Sequence, residues 1–127
     1  MKKRVVNVFL GGFSSDFDLI LSTIKKKIDP FNLMSIILFG SAVESVRTAQ
    51  DYDILVVVKE IPVREWVVAG EIKALLLTKL DKPLDLVFLE QKDLAFPSPF
   101  LYEVCLKHRV LYGEDVLLNL GKVNDQV

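Results

Sequence analysis

The chain has 127 residues, 51% hydrophobic and 26% charged, which is the size of one ordinary domain and the composition of a folded one. Sixteen Lys+Arg against seventeen Asp+Glu leave a net charge of -1, without the basic excess of a dedicated nucleic-acid binder. The single cysteine, Cys105, excludes an internal disulfide and a cysteine-rich zinc site. No apolar run approaches the ~20 residues of a membrane span. The basic start Met1-Lys2-Lys3-Arg4 is followed by a short apolar run that Asn7 breaks. No signal-peptide cleavage pattern follows, so a soluble cytoplasmic protein is expected.

In chain order, the β-branched run Val5 to Leu10 predicts a short strand or extended arm that ends at Gly11-Gly12. These two glycines lack the third one of a dinucleotide-binding loop. Ser14 or Ser15 is expected to cap a helix, with Asp16 and Asp18 in its first turn, where negative charge suits the helix dipole. Phe17, Ile20, Leu21, Ile24 and Ile28 recur at helical spacing, and Asp29-Pro30 closes the helix. Lys25-Lys26-Lys27 falls on its solvated side. Leu33 to Phe39 reads as a buried strand ending at Gly40-Ser41. After a polar stretch from Glu44 to Gln50, the run from Asp51 to Val58 reads as a second strand. Pro62 opens a predicted helix over 62–80, with Trp66, Ala69, Ile72, Leu76 and Leu80 on one face. Leu84 to Leu89 is a third strand. Pro97-Ser98-Pro99 precedes a helix through Leu101, Val104, Cys105 and His108. Val110 to Tyr112 is a short strand, Gly113 leads into a last short helix, and 118–127 is expected to fray. Strands alternating with helices predict one α/β domain over 1–127, a mixed β-sheet with helices packed on it.

Three features around the strands carry chemistry. Gly40-Ser41 is a turn after a buried strand, where the missing Cβ lets backbone approach a phosphate. Asp51 and Asp53 are two apart at a strand start, so both carboxylates point to one face and Tyr52 to the other. Adjacent carboxylates repel unless a cation sits between them or one is protonated. Such hard oxygen donors suit Mg²⁺, with water and substrate phosphates completing its shell. Asp85 stands near the start of an otherwise apolar strand, where a carboxylate needs a partner or solvent.

Gly40-Ser41, nine residues, then Asp51-X-Asp53 resembles the signature of the minimal nucleotidyltransferases of the DNA polymerase beta superfamily. Asp85 matches their third carboxylate, and the motif core covers about 33–90. The resemblance implies a polymerase-beta-like fold and transfer of a nucleoside monophosphate from an NTP, with ATP the expected donor, to a hydroxyl on a protein or small molecule. It implies that Gly40 and Ser41 hold the terminal phosphates. It also implies that Asp51, Asp53 and Asp85 are the catalytic residues and hold two Mg²⁺ ions, with Mn²⁺ as a substitute. Small members of this family are similar to antitoxins that pair with a helical HEPN toxin and can adenylylate it. The sequence departs from the pattern in two places: nine residues rather than the usual ten separate Ser41 from Asp51, and the stretch after Gly40-Ser41 differs. The family commonly carries a basic residue and a second glycine after Gly-Ser, whereas this chain reads Ala42-Val43-Glu44-Ser45. That departure keeps a second reading open, a catalytically weak or inactive nucleotide- or partner-binding module on the same fold.

The remaining chemistry-bearing residues have structural readings. His108, the only histidine, is expected as a cation at a helix C-terminus. Cys105 and Trp66 are expected to pack in the core. An exposed apolar helix face is expected if the chain forms a homodimer.

Overall fold

The computed structural model describes residues 12–96 and 98–118. The expected strand over Val5 to Leu10 and the tail from 119 lie outside them. Helix α1, Gly12–Lys27, buries Phe17, Ile20, Ile24 and, just past its end, Ile28, the stripe that 3.6-residue periodicity requires. It begins before Ser14 and Ser15, so neither serine is its cap. Asp16 does not serve the helix dipole either, as described below. Lys25, Lys26 and Lys27 occupy the last turn, where cations suit the carbonyl end. Two of them also bridge elements: Lys25 Nζ lies 4.7 Å from the Tyr112 ring centroid, and Lys27 Nζ lies 3.5 Å from Glu71 Oε1.

The sheet has four strands: β1 Leu33–Phe39, β2 Tyr52–Val58, β3 Leu84–Glu90 and β4 His108–Gly113. Their spatial order is β3-β2-β1-β4. β1 pairs antiparallel with β2 and with β4, while β2 and β3 run parallel. A parallel pair needs a crossover, and helix α2, Glu65–Leu76, lies in that connection. Helix α3, Pro99–Leu106, precedes β4, and the Ser98 side chain accepts from Leu101 N at 3.2 Å with Pro99 in the first turn. His108 therefore begins β4 rather than ending the helix.

Alternation along the strands gives the sheet two apolar faces. Ile36, Leu38, Ile54, Val56 and Val58 meet Ile20, Ile24, Ile72 and Leu76 of α1 and α2. Ile37, Leu55 and Val57 meet Leu101 and Val104 of α3, with Leu117. α2 is shorter than the 62–80 span expected, and Trp66 is 67% exposed. Its buried ridge runs through Ile72 and Leu76, flanked by Val68 and Ala69. Six residues of helix place Trp66 ~120° around from Ile72, so the indole falls beside the ridge. Asn32 fastens the far end of β2: its amide group donates to Glu60 O at 2.8 Å and accepts from Glu60 N at 2.9 Å. Among the described residues no helix is long and apolar enough to cross a membrane.

Tyr52 links α1 to the sheet. Its ring is 2% exposed and stands edge-on to Phe17, with centroids 5.5 Å apart. Its hydroxyl donates to Asp16 Oδ2 at 2.5 Å. Burial, then this hydrogen bond, then the charges of Asp16 and Asp81 push the phenol well above its ordinary range. The same Asp16 oxygen accepts from Asp81 N at 3.3 Å. Hydrogen bonds to charged groups are worth ~1.5–3 kcal/mol, more when one partner is left buried and alone. Tyr52→Phe is expected to lower the unfolding free energy by about 2 kcal/mol with an unchanged denaturant m-value. Urea unfolding measures both, and a loss below about 0.5 kcal/mol would remove this hydrogen bond from the account of stability.

Candidate active site

One rung of the sheet organises the site. Phe39 pairs with His108 on one side and Asp53 on the other, and Asp53 pairs with Asp85. Residues on one rung share a face, so Asp53 and Asp85 stand on the side of Leu55, Val57, Val87 and Leu89, which α3 covers further along. Neighbouring strands lie ~4.8 Å apart. Asp51, two residues before Asp53, lies just outside β2. Tyr52, between the two aspartates, points to the opposite face and into the core, as the alternation predicts. Asp85 is exposed, while Asp51 and Asp53 are half-buried.

Gly40 closes the site from β1. Its φ is +77°, a region that L side chains rarely adopt. A Cβ built there would collide with the Asp53 carboxylate. Both facts require glycine, and together they place the Gly-Ser turn against the acidic strand. Residues Gly40–Val43 form a single 3-10 turn, and the leading N–H groups of such a turn have no partners inside it. Ser41 is exposed, and its carbonyl accepts from Glu44 N and Ser45 N at 3.2 Å each. Among the described residues no non-glycine has a positive φ. Ser45 therefore fits its turn without the conformational freedom that a second glycine would provide.

The electrostatics converge on Asp53. Burial, then the charge of Asp51, then that of Asp85 hold its carboxyl above the usual carboxylate range. The donor set is all carboxylate oxygen, which suits a hard cation such as Mg²⁺ or Mn²⁺ rather than zinc or copper. As the side chains stand, no three His, Cys, Asp or Glu among the described residues are gathered closely enough to share one ion. The fit rests on the donor chemistry and on the repulsion that a cation would relieve.

A cleft of about 550 Å³ opens beside the Gly-Ser turn rather than over the carboxylates. Gly40, Ser41 and Glu44 form one wall, and Phe100, Val104 and Lys107 of the α3 region form the other. Phe39 and Phe100 meet edge-on at its floor, with centroids 5.4 Å apart. No local pattern marks the α3 contribution, because only the pairing of Phe39 with His108 brings that segment to Gly40. His108 turns Nδ1 to the carbonyls of Val104 and Cys105 at 2.9 and 3.2 Å, and Nε2 to Asp115 Oδ1 at 3.0 Å. It thus meets the last carbonyls of α3 from the first residue of β4, outside the helix in which it was expected. Cys105 is half-buried and donates to Leu117 O at 3.3 Å. Burial, then Asp115, push its thiol up.

The model of the family described as "Polymerase beta, Nucleotidyltransferase" matches residues 20–116. The chain belongs to this family. Its fold is that of the polymerase-beta-like nucleotidyltransferases, and solved structures share it. A toxin-antitoxin complex with AMP-PNP contains a chain 20% identical, with a TM-score of 0.64, covering 87% of this chain and 88% of that one. A complex of tri-AMPylated Shewanella oneidensis HEPN toxin with its MNT antitoxin gives 21% identity and a TM-score of 0.60, covering 87% and 85%. Spectinomycin adenyltransferase AAD(9) from Enterococcus faecialis, solved with ATP and spectinomycin, gives 18% identity and 0.61, covering 83% of this chain and 58% of that one. No curated protein matches the chain.

The geometry of this candidate site makes two predictions. Because the Asp53 carboxyl is raised in the fold, the folded state keeps a proton that the unfolded chain has already released. Its contribution therefore makes stability fall as pH rises through the window just above the ordinary carboxylate range, and levels off above the raised value. In the metal-free protein, Asp53→Asn is expected to remove that slope, as read by urea unfolding between about pH 4 and 7. Parallel profiles for parent and variant would discard the crowding of Asp53. Gly40→Ala is expected to cost about 1–3 kcal/mol of stability in the same assay, since the backbone strains and the Asp53 carboxylate must move.

Proposed function

We propose that the chain is a divalent-cation-dependent nucleotidyltransferase that moves AMP from ATP to a hydroxyl of a protein or small molecule. The observation that carries this reading is the Asp53 carboxylate, crowded by two others and seated on the left-handed Gly40 turn. Asp51, Asp53 and Asp85 would hold Mg²⁺, two ions in the full site, with Mn²⁺ able to replace it. Held there, such ions would supply charge stabilisation to an in-line displacement at phosphorus.

The rest falls to the chain itself. The backbone N–H groups that lead the Gly40 turn, with the Ser41 hydroxyl, would take the β- and γ-phosphates, leaving the α-phosphorus toward Asp53 and Asp85. Asp85 is exposed and so is open to an incoming hydroxyl whose proton it would accept. The oxygen–phosphorus bond to the acceptor forms as the bond between the α-phosphorus and its bridging oxygen to the β-phosphate breaks, and pyrophosphate leaves. The cleft beside Ser41 would receive the rest of the nucleotide, with Phe39, Phe100 and Val104 as its apolar lining.

The partner reading is that the chain serves as the antitoxin of a HEPN-type helical toxin and modifies it. It is supported by the fold shared with antitoxin chains solved in toxin-antitoxin complexes. It is tested by incubating the protein with ATP labelled at the α-phosphate, Mg²⁺ or Mn²⁺, and a candidate HEPN-type helical protein. Label is expected on the partner, and Asp53→Asn is expected to lower the rate at least ~100-fold, in line with the several kcal/mol that cation charge stabilisation supplies. If partner binding survives Asp51→Asn with Asp53→Asn and the parent has no affinity for nucleotide, the chain is a binding module and the transferase reading fails.

A further inference from the structure

The Gly-Ser turn carries no cation of its own. Ala42, Val43 and Glu44 follow it, and Glu44 places a carboxylate on the wall where phosphates would sit. A cation comes instead from the far end of the chain. Because His108 pairs with Phe39, the residue before it, Lys107, arrives level with Gly40 and lines the same cleft as Ser41 and Glu44. Its Nζ lies 3.2 Å from Glu44 Oε1, with the two side chains 47% and 71% exposed.

An ion pair as wet as this one is weak. The lysine head is a compact charge on a flexible four-carbon stem, able to reach a new partner without movement of the backbone. A triphosphate presents several negative charges at once and accepts charge-assisted hydrogen bonds that a single carboxylate matches poorly. The pair is therefore a competition in which a polyanion displaces Glu44 and a weakly charged anion does not.

We propose that Lys107 is the phosphate-binding cation of this site and that Glu44 holds it in reserve, so that the pair selects triphosphates over monophosphates. This rests on the nucleotide reading above and adds to it a residue and a basis for selectivity. Glu44, the residue that departs from the family pattern, then becomes the holder of the cation rather than a defect in the cradle.

The test is calorimetric binding of inorganic tripolyphosphate, ATP and AMP to the full chain, in EDTA and in Mg²⁺. Lys107→Met is expected to weaken tripolyphosphate and ATP about tenfold and AMP about twofold or less, since a hydrogen bond to a charged group is worth a factor of that order. Lys107→Arg is expected to restore most of the affinity. Glu44→Gln is expected to tighten AMP more than ATP, which narrows the selectivity. Arg47→Met, which removes an exposed cation outside the cleft, is expected to change nothing. If the parent binds ATP and Lys107→Met binds it equally well, or if the loss follows Arg47, the inference is overturned while the nucleotide reading stands. If the parent binds neither ATP nor tripolyphosphate, both fall. Lys107→Gln repeats the measurement should Lys107→Met fail to fold.

Discussion

Parallel pairing of β2 with β3 places Asp53 beside Asp85 on one rung, and the rest of the site is arranged around that enforced closeness. Two carboxylates at strand spacing repel, and Asp51 adds a third charge from the same chain segment. The sheet cannot relax the repulsion by sliding, because a one-residue slip would turn Leu55 and Val57 out of one core and Ile54 and Val56 out of the other. The charge is therefore held where only a proton, a cation or water can answer it. Gly40 completes the confinement: the Asp53 carboxylate occupies the space that a Cβ at Gly40 would need.

The opposite side of the same strand is anchored just as firmly. Tyr52 separates the two aspartates in sequence, and its hydroxyl is tied to Asp16 on α1. The acidic segment is thus fixed through its back while its front remains open. Rigid support behind an exposed constellation is what positions side chains for chemistry. The register also assigns the α3 segment its place, since the pairing that puts Phe39 opposite Asp53 on one edge puts it opposite His108 on the other.

Much of this was legible in the residues, and the parts that were not have a common cause. Alternation along a strand is a local rule, so the opposite turns of Tyr52 and Asp53 could be read directly. The strand–helix–strand run through α2 was readable because apolar runs and helical spacing mark its parts, whereas the parallel pairing of its strands was not. Asp16 was misassigned because the first turn of a helix offers a local use for a carboxylate, while its actual partner stands 36 residues away. Trp66 was expected inside because its type prefers burial, but a helix that begins at Glu65 turns that position off the buried ridge. Lys107 left no local signal at all. Its distance from Glu44 along the chain is closed only by the pairing of β4 with β1, which composition and periodicity do not encode.

The exposed Trp66 has a practical consequence. It is the only indole in the chain, and it stands in water on α2, 67% exposed, away from the residues that line the cleft. Its fluorescence will emit at long wavelength and will be quenched readily by iodide. It is therefore a built-in optical reporter for whatever settles on that helix. A blue shift with loss of quenching would register a protein docking there without any added dye.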